Sequence, residues 1–159
     1  MKLKIIAVGK LKEPFYQAAV AEYKKRLGAY SEIELIEIDE YRLGDKPNRS
    51  QIEQGLEAEA TAMLKHIGAD DYLVALDRLG RAYTSEGWAS RLDEMMTRGK
   101  SSFVFLIGSS YGLAEAIKLK AHEKITLSEL TFPHQLVRVI WLEQLYRSFK
   151  ILNHETYHK

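Results

Sequence analysis

Cysteine is absent from the sequence. Its absence excludes a disulfide framework, a thiolate nucleophile and any cysteine-built zinc site, and it suits a reducing compartment. Proline is scarce, at three residues in 159, so few positions interrupt regular structure. No apolar run approaches the roughly 18 residues of a membrane span. The stretch from Ile5 to Val8 is also too short for a signal-peptide core. Charge of either sign is in little excess: the formal net value is +1. That excludes a strongly basic domain that coats nucleic acid by bulk attraction, but not a local basic face. A cytoplasmic globular protein with no membrane attachment is expected, forming one domain over residues 1–159.

What is present alternates. Leu3–Val8, Ile33–Ile38, Tyr72–Leu76, Phe103–Ile107 and Lys124–Leu127 are short, apolar and rich in β-branched or aromatic residues, and read as buried strands. Helical patterns lie between them. Pro14 suits the first turn of a helix closed by Gly28. Ser50 and Glu53 form a capping box opening a helix over Ser50–Ile67. Ser85 is placed to cap a helix reaching Arg98, and a short helix covers Ala114–Ala121. The last helix spans Pro133 to Leu152, with Leu136, Val139, Ile140, Leu145, Phe149 and Leu152 as its apolar stripe. This order defines an α/β domain, a mainly parallel sheet flanked by helices. Asp39–Arg49, with Gly44 and Pro47, reads as a mobile surface loop.

Ligands of open α/β sheets bind at the carboxyl ends of the strands. Three such ends carry unusual loops: Asp77–Gly80, Gly108–Gly112 and Ser128–Pro133. Gly108–Gly112 is neither a dinucleotide fingerprint nor a phosphate loop, because its spacing and its position in the chain are wrong for both. It lets backbone amides approach a ligand, or serves simply as a turn. His154-Glu155-Thr156-Tyr157-His158 matches the zinc-protease pattern H-E-x-x-H. We reject that reading, since the motif needs both histidines on one helix face and a third ligand, and no metal is expected. His134, Gln135 and Arg138 open the last helix, and Arg147 and Lys150 lie near its end. The tail Tyr157-His158-Lys159 gathers a phenol, an imidazole and an ammonium, which is read as part of an active site. Trp141 and Tyr146 read as packing residues rather than stacking platforms.

Several segments together carry a family resemblance. They include Ala7-Val8-Gly9-Lys10, Leu76-Asp77 with Gly80, and Phe105-Leu106-Ile107-Gly108. The most specific run is Leu127-Ser128, Thr131-Phe132-Pro133-His134-Gln135, Arg138-Val139, Glu143 to Arg147 and Tyr157-His158-Lys159. The chain resembles the ribosomal RNA large subunit methyltransferase H family of the SPOUT superfamily. The resemblance implies a SPOUT-type fold with a C-terminal trefoil knot, and a homodimer with each site near the interface. It implies S-adenosyl-L-methionine as cofactor, held at Leu76, Gly108, Leu127, Ser128, Glu129, Leu130, Thr131 and Phe132. It further implies N3-methylation of a pseudouridine in large-subunit rRNA on the assembled ribosome. In this reading His158 assists proton transfer, Tyr157 positions the base, and Arg147 or Arg138 holds phosphate or stabilises negative charge. The alternatives are a SPOUT enzyme acting on another RNA nucleotide and a non-catalytic dimeric ribosome-binding protein. Two positions depart from the family pattern: Ser109 replaces the second of paired glycines, and Thr156 replaces a proline before the final Tyr-His.

Overall fold

The computed structural model describes residues 1–159. Strands and helices alternate throughout: β1 (Lys2–Val8), α1 (Pro14–Leu27), β2 (Glu32–Ile38), α2 (Arg49–Leu64), β3 (Tyr72–Ala82), α3 (Ser85–Thr97), β4 (Ser102–Ile107), α4 (Glu115–Lys120), β5 (Glu123–Thr126) and α5 (His134–Leu152). The five strands are parallel and ordered β2-β1-β4-β3-β5.

A parallel sheet needs cover on both faces, and the side-chain period of two supplies it. Leu3, Ile5 and Ala7 of β1, with Phe103, Phe105 and Ile107 of β4, face α1, α3 and α5. Ile6 and Val8, with Val104 and Leu106, face α2 and α4. Helix α5 lies between α1 and α3, so it is packed along two sides. Trp141 anchors it, with ring centroids 5.4 Å from Trp88 and 5.1 Å from Phe105. No helix is long and apolar enough to cross a membrane.

The structure corrects several sequence expectations. The capping box of α2 is Asn48 with Gln51, not Ser50 with Glu53: Asn48 Oδ1 accepts from Gln51 N at 2.8 Å and Gln51 Oε1 from Asn48 N at 2.9 Å. Asn48 is extended, as a cap requires. Thr84, not Ser85, caps α3, accepting from Gly87 N at 3.0 Å. The buried stripe of α5 is Arg138, Trp141, Leu142, Leu145, Ser148 and Phe149. Leu136, Val139, Ile140 and Leu152 are only half-buried. Strand β3 does not stop at Leu76. It runs on to Ala82, shifting register on β5 between Leu76 and Arg81. Gly80 makes that path passable, since a Cβ there would lie 2.5 Å from the backbone nitrogen of Ile125. The segment after Asp39 is also tied down: the Tyr41 amide donates to Glu59 Oε2 at 3.0 Å.

Candidate active site

The middle of β3, around Leu76, and the carboxyl ends of β4 and β5 border a cavity of about 660 Å³. Leu76 from β3, Gly108 after β4, and Leu127, Ser128, Leu130, Thr131 and Phe132 after β5 all line it. Seven of the eight residues expected to hold a cofactor therefore converge. Glu129 is exposed and does not line the cavity, because the loop is folded on itself. Thr126 Oγ1 donates to the Ser128 carbonyl, and Leu130 N donates to Ser128 Oγ, both at 3.0 Å. Gly108 is packed against the turn that follows it: a Cβ there would sit 2.2 Å from the Gly112 carbonyl oxygen. Ser109 is compatible with that turn, since its carbonyl accepts from Gly112 N at 2.8 Å. Asp77 and Lys118 pair across the wall at 3.5 Å.

A second cavity, of about 970 Å³, opens beside the first at the carboxyl ends of β1 and β2. It is strongly polar, with Lys10, Lys12, Arg42, Glu40 and Glu59 in its walls. Ser109, Tyr111 and His134 line both cavities. The chain leaves β1 toward the α1 face and leaves the neighbouring β4 toward the α4 face. Such divergence opens a ligand crevice in sheets of this kind.

The tail folds back onto the far side of α5. Tyr157 donates to Glu143 Oε1 at 3.0 Å and packs edge-on against Tyr146, with centroids 4.9 Å apart. Burial, then the Glu143 bond, push the Tyr157 phenol up to about 12. The phenol therefore stays protonated and serves as a donor at neutral pH. Arg147 donates to Glu143 at 2.5 Å and approaches His158 Nδ1 at 3.1 Å. A guanidinium only donates, so Nδ1 is the acceptor and Nε2 carries the proton. Nε2 then donates to Glu86 Oε1 at 2.7 Å. The structure thus brings Arg147, Tyr157 and His158 together, but none of them lines either cavity. In this arrangement both nitrogens of His158 are engaged. Helix α5 ends at Leu152, so His154 and His158 do not share a helix face, and no three metal-binding side chains converge anywhere.

Arg138 lies apart from this group and is fully buried. One guanidinium nitrogen donates to the carbonyls of Val8 and Gly9 at 2.7 and 2.8 Å, and the other to Glu37 at 3.2 Å. The expected phosphate-holding role is corrected, because a side chain with no exposed surface cannot meet a nucleic acid. Arg138 is a clamp joining α5 to the ends of β1 and β2. Arg138→Met is expected to cost about 3 kcal/mol, the low end for breaking a buried charged pair. The low end applies because Glu37 is 35% exposed and regains water. For a chain of this size that lowers the melting temperature by roughly 6–12 °C. An unchanged thermal melt would remove the clamp assignment.

Sequence reasoning missed Glu143, Glu86 and Glu59. Glu143 had a usable signal, lying four residues before Arg147 on one helix face. Glu86, though part of the family-like pair Ser85-Glu86, had no spacing signal for its contact, since it meets His158 across 72 residues, and Glu59 reads as an ordinary charge within a polar helix.

Residues 1–158 match the family model described as a predicted SPOUT methyltransferase. The chain belongs to this family of methyltransferases. It is 45% identical, over 159 residues and the full length of both chains, to the ribosomal RNA large subunit methyltransferase H of Ruminiclostridium cellulolyticum.

Proposed function

We propose that the chain is an S-adenosylmethionine-dependent methyltransferase that modifies N3 of a pseudouridine in large-subunit rRNA on the assembled ribosome. The observation carrying this reading is the cavity lined by the middle of β3 and the loops after β4 and β5. Small-ligand pockets are mostly apolar with a few placed polar groups, and this one fits. Leu76, Leu130 and Phe132 offer apolar surface for the faces of an adenine, and the backbone of Leu127–Phe132 offers donors and acceptors for its edge. Gly108 brings bare backbone to the cavity wall. When bound, the cofactor supplies an electrophilic methyl group. The protein's task is to orient the acceptor nitrogen, exclude water and take away its proton.

The tail is the proposed source of proton transfer. Its separation from its own chain's cavities supports a homodimer in which one copy's tail reaches the other's site. Leu79, 90% exposed in the outer part of β3, and Leu130, 72% exposed on the loop after β5, lie near the strand ends. With the half-buried Leu136 and Ile140 of α5, they supply apolar surface for that dimer. Arg147 would hold phosphate or stabilise charge, and Tyr157 would position the base. The passage of β5 against Gly80 supports a threaded, knotted carboxyl half. Residues 1–159 act as one domain, in the cytoplasm where assembled ribosomes are found. The near-neutral charge supports recognition by shape and splayed bases rather than by bulk attraction.

Calorimetric titration with S-adenosylmethionine in the presence of a chelator, followed by nucleoside mass spectrometry of treated ribosomal particles, tests the reading. Saturable binding and a new methylpseudouridine are expected. Methylation of a different nucleoside, or none with cofactor bound, would overturn it.

A further inference from the structure

The second cavity is too polar to resemble a cofactor's apolar slot, yet it shares Ser109, Tyr111 and His134 with the cofactor cavity. A molecule seated in it therefore lies beside whatever fills the first. Lys10, Lys12 and Arg42 can meet phosphates, and the half-exposed ring of Tyr111 offers a stacking face. The unusual group is Glu59, 6% exposed on the inner side of α2. A buried carboxylate needs donors. The Tyr41 amide gives one, to Oε2. That amide is held in place because the Tyr41 ring lies against Gly55, where even a Cβ would come within 2.9 Å of a ring carbon. This amide and the Ser109 hydroxyl together do not fill the roughly four acceptor positions of a carboxylate. Burial pushes Glu59 upward and Glu40 adds to the effect, against the Tyr41 amide and a weaker bond from the Ser109 side chain. Within the protein, Glu59 is short of donors.

Pseudouridine is joined to its sugar through carbon, so both ring nitrogens carry hydrogen. Uridine presents C–H where pseudouridine presents N1–H, whereas N3–H is common to both. We propose that the second cavity seats the target base and that Glu59 accepts the N1–H, making it the residue that distinguishes pseudouridine from uridine. This rests on the function proposed above. N3 then faces the shared wall of His134 and Ser109 and the cofactor cavity beyond it, and N1 faces α2. The roles do not compete, because the two N–H bonds leave the ring on different sides.

Glu59→Gln is a sharp test. The Tyr41 amide must keep an oxygen partner, so the glutamine turns its NH2 toward the cavity and replaces an acceptor with a donor. Turnover would be measured on ribosomal particles carrying pseudouridine, uridine or N1-methylpseudouridine at the target position. The wild-type protein is expected to favour pseudouridine over both others by about 100-fold or more, as sites built around a substrate N–H do. Glu59→Gln is expected to bring the pseudouridine-to-uridine ratio within about 10-fold while leaving S-adenosylmethionine affinity unchanged. A variant that keeps the wild-type ratio overturns the proposal. So does a variant that loses both substrates equally, which is what a purely structural Glu59 gives. The wild-type comparison needs no variant to fold: N1-methylpseudouridine accepted as well as pseudouridine also overturns it. Failure of the underlying function looks different, because the wild-type protein would then methylate none of the three.

Discussion

His158→Ala lowers turnover on ribosomal particles by about 100-fold or more, the lower range for loss of a general acid–base group. S-adenosylmethionine affinity stays unchanged. The two expectations separate because of geometry: no tail residue lines the cofactor cavity, so cofactor binding should not sense the imidazole. In the isolated chain His158 is held by Arg147 and Glu86. To take a proton from an imide nitrogen, its Nδ1 must be released from Arg147, which is then freed to face the developing negative charge. Glu86→Gln should weaken the hold on Nε2 and change turnover far less than His158→Ala. Single-turnover methyl transfer, with calorimetry on the same preparations, checks this. Parallel loss of turnover and cofactor affinity in His158→Ala would make the tail structural instead.

Gly108→Ala should weaken S-adenosylmethionine binding by roughly 100-fold. A methyl at this position would overlap the Gly112 carbonyl, so the Gly108–Gly112 turn must move. Overpacking of this kind costs about 1–3 kcal/mol, and each 1.4 kcal/mol is tenfold in affinity. The displaced turn forms a wall of the cofactor cavity, so the cost falls on binding. Gly44→Ala is the control, because a Cβ there meets nothing within 4 Å and calorimetry should find its affinity unchanged. Equal affinities for both variants would remove Gly108 from the cofactor site.

The strands were legible because buried parallel strands are written as continuous apolar runs, and Phe103–Ile107 is read without ambiguity. Beyond Leu76 the signal failed. Asp77-Arg78-Leu79-Gly80 looks like a loop, and the strand resumes only because Gly80 lets β5 pass. The α5 stripe was misplaced because a helix packed on two sides buries more than one face, including an arginine that no hydrophobic pattern can mark. The loops that line the proposed cofactor cavity were legible through the strand-end rule and the Leu127–Gln135 run. The partners of the tail were not, since Glu86 and His158 are joined only by the fold. Glu59 was hidden for a similar reason: its burial depends on Tyr41, which sits in a segment that reads as mobile.

The Arg138 clamp has a consequence for the newly made chain. Its bond to Val8 spans 130 residues, so the carboxyl end of β1, though paired early with β2, stays unclamped until α5 has been synthesised. At about 5–20 residues per second, that delay is roughly 7–26 s. Throughout it, the deeply buried β1 has no α5 above it, and for most of it no β4 beside it. A nascent chain with this topology cannot complete its sheet and its α5 cover until translation is nearly finished, so completion of its fold in the cell is paced by translation.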